Sequence, residues 1–175
     1  MRITVSGPPG SGTTSLAKAI AEKYGIRLVS AGDVFRQNAA ERNMDLLSFS
    51  KLCESDPSVD KKIDADQKRI GEENSDIIIE GRLAGHMVSN ADLRIWVLAS
   101  ADCRAHRISD REEISYEIAR HDTDIREKSE CDRYMKYYGI NIRDLSIYDL
   151  VISSEKWGKE ELAQVVDFAI GRINR

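Results

Sequence analysis

Residues Gly7-Pro8-Pro9-Gly10-Ser11-Gly12-Thr13-Thr14 decide the fold. An apolar run, residues 3–6, precedes them, and a stretch with helical spacing, residues 12–24, follows. Glycine accepts the backbone angles of a tight turn and lets main-chain N–H groups come close to an anion. The helix that starts at the end of the turn adds unpaired N–H groups and about half a positive charge. Together they form a phosphate cradle. The plain structural alternative is a glycine-rich turn without a ligand; strand context on one side and helix context on the other weigh against it.

Working outward, four more short runs rich in Ile, Val and Leu appear at residues 27–30, 76–80, 93–99 and 150–153. Ile77-Ile78-Ile79 and Ile95-Trp96-Val97-Leu98 are continuous rather than alternating, as strands buried on both faces are. Helical stretches lie between the runs. Strand and helix in alternation predict an α/β fold: a doubly wound, five-stranded parallel sheet with helices on both faces. Gly25 stops the first helix. In the last, residues 159–173, Leu162, Val165, Val166, Ala169, Ile170 and Ile173 form one apolar stripe for core packing. Residues 31–74 read as mostly helical with a break at Asp56-Pro57. Residues 120–136 read as a polar helix that buries little, gains little from packing and opens locally. The chain is expected to be one domain, residues 1–175, with helical arms inserted at about 31–74 and 107–136.

The phosphate loop departs from the general Walker A pattern G-x-x-x-x-G-K-S/T. Both boundary glycines are present and Thr14 supplies the hydroxyl expected at Mg²⁺, but Thr13 replaces the lysine. At ~4 Å and an effective dielectric near 20, that charge is worth up to ~4 kcal/mol gross. Arginines from elsewhere are the first candidates to replace it, and Lys18 is a weaker one.

Those arginines recur at strand ends. Ser30-Ala31-Gly32-Asp33-Val34-Phe35-Arg36 is a second glycine-containing strand-to-helix turn, and it ends in a guanidinium able to fork onto a phosphate. The third strand ends Ile79-Glu80-Gly81-Arg82. In a doubly wound sheet the strand C-termini face one crevice, so Arg36, Arg82 and the loop are expected to converge. Glu80 is expected beside Thr14, where it can hold Mg²⁺ through water. Arg104, Arg107 and Arg111 share a helical face, and Arg120, Arg126 and Arg133 follow. A solvated charged face is the alternative, and it stands open for Arg104 and Arg120 more than for Arg107, Arg111, Arg126 and Arg133.

Composition sets outer bounds. The net charge of −4, from 26 basic and 30 acidic residues, argues against a nucleic-acid binder but not against a local anion site. No apolar run approaches the ~20 residues of a membrane span, and no secretory signal precedes the first strand. Cys53, Cys103 and Cys131 are odd in number and form no C-x-x-C pair, which suggests neither disulfides nor zinc and fits a reducing cytoplasm. No Ser-His-Asp or Cys-His constellation stands out; His86, His106 and His121 read as structural or exposed.

The residues also resemble a family. Ser30–Arg36 is similar to the S-T-G-D-x-x-R element of adenylate kinase-type nucleoside monophosphate kinases, and Arg107-Ile108-Ser109-Asp110-Arg111 to their R-x-x-x-R at the lid entrance. Ala31-Gly32-Asp33-Val34-Phe35-Arg36, Glu80-Gly81-Arg82-Leu83-Ala84-Gly85, Tyr137-Tyr138-Gly139-Ile140 and Asp144-Leu145-Ser146-Ile147-Tyr148-Asp149-Leu150-Val151-Ile152 resemble the archaeal-type cytidylate kinase family across essentially the whole chain. A G-S-G-T-T loop is familiar there, and Asn141 stands where the family often has Asp. The resemblance implies a P-loop NTPase-type sheet with a monophosphate-binding arm and a lid. It implies phosphoryl transfer from MgATP to CMP, with dCMP as second acceptor, by a monomer that needs neither nucleic acid nor membrane. Carried over, Gly7, Pro8, Pro9, Gly10, Ser11, Gly12, Thr13, Thr14 and Ser15 bind ATP phosphates, with Thr14 and Glu80 at Mg²⁺. Ser30, Gly32, Asp33, Arg36 and Arg82 hold the acceptor. Arg107, Arg111, Arg126 and Arg133 join Arg82 around the transferred group, and Trp157 lies near the ATP nucleoside. Kinases of AMP, UMP or shikimate, and a noncatalytic nucleotide-binding module, remain as alternatives. Apart from the resemblance, the sequence holds no physical readout of the base.

Overall fold

Ile77, Ile78 and Ile79 are fully buried, which explains their unbroken apolar run. They belong to β3 (Ile77–Glu80) of a parallel sheet with β1 (Arg2–Ser6), β2 (Arg27–Ser30), β4 (Leu93–Leu98) and β5 (Leu150–Ser153). The order is β2-β3-β1-β4-β5, so β1 and β3 are central. The computed structural model describes residues 1–173.

Alternation along the strands sends side chains to two helical layers. Ile3, Val5, Ile78 and Ile95 pack against Leu16 and Ile20 of α1 (Thr13–Tyr24). The helix that closes this layer near the C-terminus is the last one, Lys159–Ile173, through Leu162, Val166 and Ile170. Its expected stripe is present, although Ile173 at the end is exposed. Burying each large aliphatic side chain here contributes roughly 1.5–3 kcal/mol. On the opposite face, Ile77 and Ile79 meet Ala84 and Val88.

Between β2 and β3 run α2 (Ala31–Glu41), α3 (Leu46–Ser55) and α4 (Pro57–Glu73). Each has a side-chain cap at its start: Ser30, Asp45 and Asp56 accept from Asp33, Ser48 and Ser58 N–H groups. Pro57 opens α4, as the Asp56-Pro57 break predicts. Ala39, Phe49 and Cys53 make the small core of this arm. The short α5 (Ala84–Met87) precedes β4; α6 (Ala101–Glu112) and α7 (Tyr116–Tyr138) precede β5, and the final helix is α8.

The polar helix differs from expectation. α7 buries Ser129, Glu130, Arg133 and Tyr134, because its polar residues meet partners on α3, on α4 and in the turn after β3 rather than water. Among the described residues no helix is long and apolar enough to cross a membrane.

Candidate active site

Register places the chemistry. Ser30 and Val5 both align with Glu80, so the C-terminal ends of β2, β3 and β1 finish at one level. Just beyond them lies an open crevice of about 920 Å³, floored by the loop residues Gly7, Pro8, Pro9, Gly10, Thr13 and Thr14.

The loop fits only glycine at its tightest points. A Cβ on Gly7 would stand 2.4 Å from the Val97 carbonyl oxygen. Gly10 has φ +79°, and a Cβ there would lie 2.8 Å from the Arg104 carbonyl oxygen. Three arginines hold the loop from outside by its carbonyls. Arg82 Nη1 donates to Gly7 O at 2.5 Å, Arg104 Nη1 to Pro9 O at 3.2 Å, and Arg107 Nη1 to Gly10 O at 3.3 Å. Arg104, for which a solvated face stood as an open alternative, is buried and paired with Glu127.

Glu80 is buried at the crevice edge and gathers three hydroxyls. Thr13 Oγ1 donates to it at 2.6 Å, Thr14 Oγ1 at 3.3 Å and Ser30 Oγ at 2.5 Å. Thr13 thus fills the lysine position with a hydroxyl tied to a carboxylate. Lys18 is exposed on α1 and does not line the crevice.

Arg36, Arg82, Arg111, Arg126 and Arg133 all line the crevice, so the expected convergence is present. Their states differ. Arg82 Nε donates to Glu130 at 2.7 Å. Arg36 and Arg111 pair with Asp33 and Glu112 while staying partly exposed. Arg126 has no hydrogen bond or ion pair among the described residues, and its Nε is sealed from solvent. Burial, then the Arg82 and Arg111 charges, push its pKa down against the pull of Glu130. Arg126 is therefore a cation short of an anion. Glu130 is the hub: burial opposes its charge, but Arg82, Arg126 and Arg133 outweigh it and hold its pKa below the usual range.

Other expected positions stand differently. Arg133 lines the crevice but is 3% exposed, donating from Nε to Asp60 at 2.7 Å and from Nη1 to Ser50 and Ser129. It ties α7 to α3 and α4. Ser30 and Asp33 do not line the crevice: Ser30 is spent on Glu80 and on capping α2, and Asp33 on Arg36. Arg107 does not line it either. It borders a second cavity of about 510 Å³ with Gly12, Ser15 and Trp157, where its Nη1 and Nη2 donate to Ser154. Ser11 is buried, with an unpartnered hydroxyl.

Sequence reading missed Glu130, Asp60, Asp64 and Gln67. The last three fall at i, i+4 and i+7 on α4, a pattern that on polarity alone spells a solvated face, yet all are buried and line the crevice. The buried glycine at i+11, Gly71, was the available signal that this face packs.

The cytidylate kinase-like family model matches residues 2–156. The chain is 59% identical over 175 residues to a cytidylate kinase of Methanoculleus marisnigri, covering 100% of this chain and 97% of that one. The chain belongs to the cytidylate kinase-like family. A cytidylate kinase of Archaeoglobus fulgidus is 45% identical over 166 residues, covering 95% of this chain and 92% of that one. Among solved structures, a shikimate kinase from Acinetobacter baumannii in complex with shikimate has a TM-score of 0.64 at 11% identity, covering 97% of this chain and 92% of that chain. An uncharacterized protein of Eubacterium ventriosum has a TM-score of 0.69 at 20% identity, covering 99% and 98%. At those identities the likeness is one of fold. The cytidylate kinase-like family thus sits here on the doubly wound sheet read from the strand pattern.

Proposed function

We propose that the chain transfers the γ-phosphate of MgATP to CMP, and to dCMP as second acceptor, giving ADP and the nucleoside diphosphate. Family membership makes it a phosphotransferase. The observation that carries the assignment of roles is the gathering of five arginines beside the loop in one crevice.

Phosphoryl transfer asks little covalent chemistry of the protein. The acceptor phosphate oxygen is already a nucleophile near neutral pH, so no strong base is needed. What is needed is in-line placement and neutralised charge. The loop N–H groups and the start of α1 take the ATP phosphates, and Gly12, Ser15, Arg107 and Trp157 border the nucleoside side. Arg36 and Arg82 take the acceptor phosphate, while Arg111 and Arg126 meet the transferred group. Arg126 supplies the cation that Thr13 does not. Arg107 and Arg133 act by position, one bracing the loop and the other fixing α7.

Magnesium fits the oxygen donors of Thr14 and Glu80. Among the described residues no three-residue His, Cys, Asp or Glu cluster exists, as suits an ion held mainly by substrate phosphates and water. Bound there, magnesium would neutralise charge on the β- and γ-phosphates.

We assign residues 31–74 to the acceptor arm and 107–136 to the lid, within one domain working as a monomer. Phosphate-binding arginines on the acceptor side favour a monophosphate over the uncharged hydroxyl of a shikimate-like acceptor. The test is ADP release with MgATP and CMP, dCMP, UMP or AMP. CMP and dCMP are expected to be preferred; preference for AMP or UMP, or no release with any acceptor, would overturn the assignment.

A further inference from the structure

The acceptor crevice has a second chemistry away from its arginines. On the arm side it is lined by Phe35, Leu46 and Ile63, apolar surfaces from three helices that can sandwich a flat ring. Phe35 is held there by Phe49, with ring centroids 4.7 Å apart. Among these surfaces stand two buried polar groups, Asp64 and Gln67, one turn apart on α4.

Their free atoms are acceptors. Gln67 Nε2 donates to the Glu80 carbonyl at 3.1 Å, which fixes the amide and leaves Oε1 without a partner. Asp64 Oδ2 accepts from Tyr138 Oη at 2.8 Å, and its other oxygen makes no hydrogen bond among the described residues. A buried acceptor with no donor costs ~1–3 kcal/mol, so Gln67 Oε1 in a substrate crevice calls for a donor on the ligand, and the free oxygen of Asp64, one turn away on α4, offers a second acceptor.

We infer that Asp64 and Gln67 read the base of the acceptor nucleotide by accepting hydrogen bonds from the 4-amino group of cytosine. This rests on the CMP assignment above. Uracil presents a carbonyl at the same position, so the two acceptors would face a third acceptor and stay unpaired. Arginines choose a monophosphate, whereas this edge of α4 chooses which pyrimidine carries it.

Asp64→Asn tests the inference with little change of shape. Tyr138 would still donate to the amide oxygen, which turns the NH2 group toward the crevice and reverses the edge from acceptor to donor. Measured at pH 8.5, where Asp64 with its pKa of about 7 is ionised and accepts only, the expected result is a fall of at least about tenfold in the ratio of kcat/KM for CMP to that for UMP. KM for ATP should stay within about twofold, which shows the fold intact. A second measurement needs no variant: the 2-pyrimidinone analogue of CMP, which lacks only the 4-amino group, should have a KM at least about tenfold above that of CMP. A ratio that D64N leaves unchanged, or an analogue used as well as CMP, overturns base reading while leaving the CMP assignment standing. Wild-type protein that phosphorylates no cytidine nucleotide overturns both.

Discussion

Glu130 holds Arg82 with two contacts: its carboxylate lies 2.7 Å from Nε and 2.5 Å from Nη2, and both side chains are nine-tenths buried. The same carboxylate draws on Arg126 and Arg133. Before an acceptor arrives, Glu130 is the anion the arginines share. Removing one partner of a buried pair typically costs ~3–5 kcal/mol, because the remaining charge is stranded. Glu130→Gln is therefore expected to lower the Tm by roughly 10 °C. CMP should restore more of the Tm in the variant than it adds to the wild type. Thermal unfolding with and without CMP measures this; an unchanged Tm would show that Glu130 does not balance the cluster.

The pH dependence has two opposing parts. Because the arginines depress the pKa of Glu130, its stabilisation is present above about pH 4.5 and disappears as pH falls through the folded-state value. Asp64 behaves oppositely: burial first, with Asp60 adding to it, pushes it from 3.8 up to about 7. The native state then holds a proton that the unfolded chain has lost, so this residue makes stability decline between roughly pH 4 and pH 7. Asp64→Asn should remove that decline. Urea unfolding at pH 4.5 and 7.5 is expected to show a gain over wild type that is larger at pH 7.5; an equal gain at both would remove Asp64 as the cause.

Arg82 and Arg126 face the same crevice but stand differently toward the fold. Arg82→Ala removes a phosphate contact and also a support of the Gly7 carbonyl, and kcat is expected to drop at least about 100-fold. Arg126→Ala removes a buried cation that makes no hydrogen bond or ion pair among the described residues and feels Glu130 only at longer range. It should cut kcat by a similar order while lowering the Tm less than Arg82→Ala does, since no direct ion pair is broken. Steady-state ADP release at saturating CMP, alongside melting curves, separates the two. Near-normal turnover in either variant would reject its place at the phosphates.

Amide exchange of α7 should be uneven. Its second half is anchored by Arg133 to Asp60 and Ser50 and by Tyr138 to Asp64, whereas Ile118 and Met135 on its outer side are exposed. Nucleotide is expected to add protection at residues 116–126 and little at 129–138. Uniform protection gains along the helix, or none, would contradict an uneven response of the lid.

The strands were legible because a strand covered on both faces excludes polar residues over its whole length, as Ile77-Ile78-Ile79 does. The loop was legible because few functions require glycine at Gly7, Gly10 and Gly12 together. That Arg36, Arg82, Arg111 and Arg126 face one crevice follows from strand ends and a shared helix face, which fix direction without knowledge of neighbours. The protein partners of Arg107 and Arg133 do not follow in that way. Whether a guanidinium reaches a ligand or a carbonyl depends on what packs beside it, and Ser154, Asp60 and Ser50 are 47, 73 and 83 residues away in sequence. For the same reason the burial of α7 could not be read: hydrophobicity registers apolar contacts, and this helix is held by ion pairs.

The outward grip of Arg82, Arg104 and Arg107 on loop carbonyls has a thermodynamic consequence. Backbone that is already set does not have to be frozen when a nucleotide lands, so the entropy usually lost in ordering such a segment is spent at folding instead. Empty and filled forms should share one loop conformation, and association should be limited by diffusion and lid movement, not by a search among loop shapes.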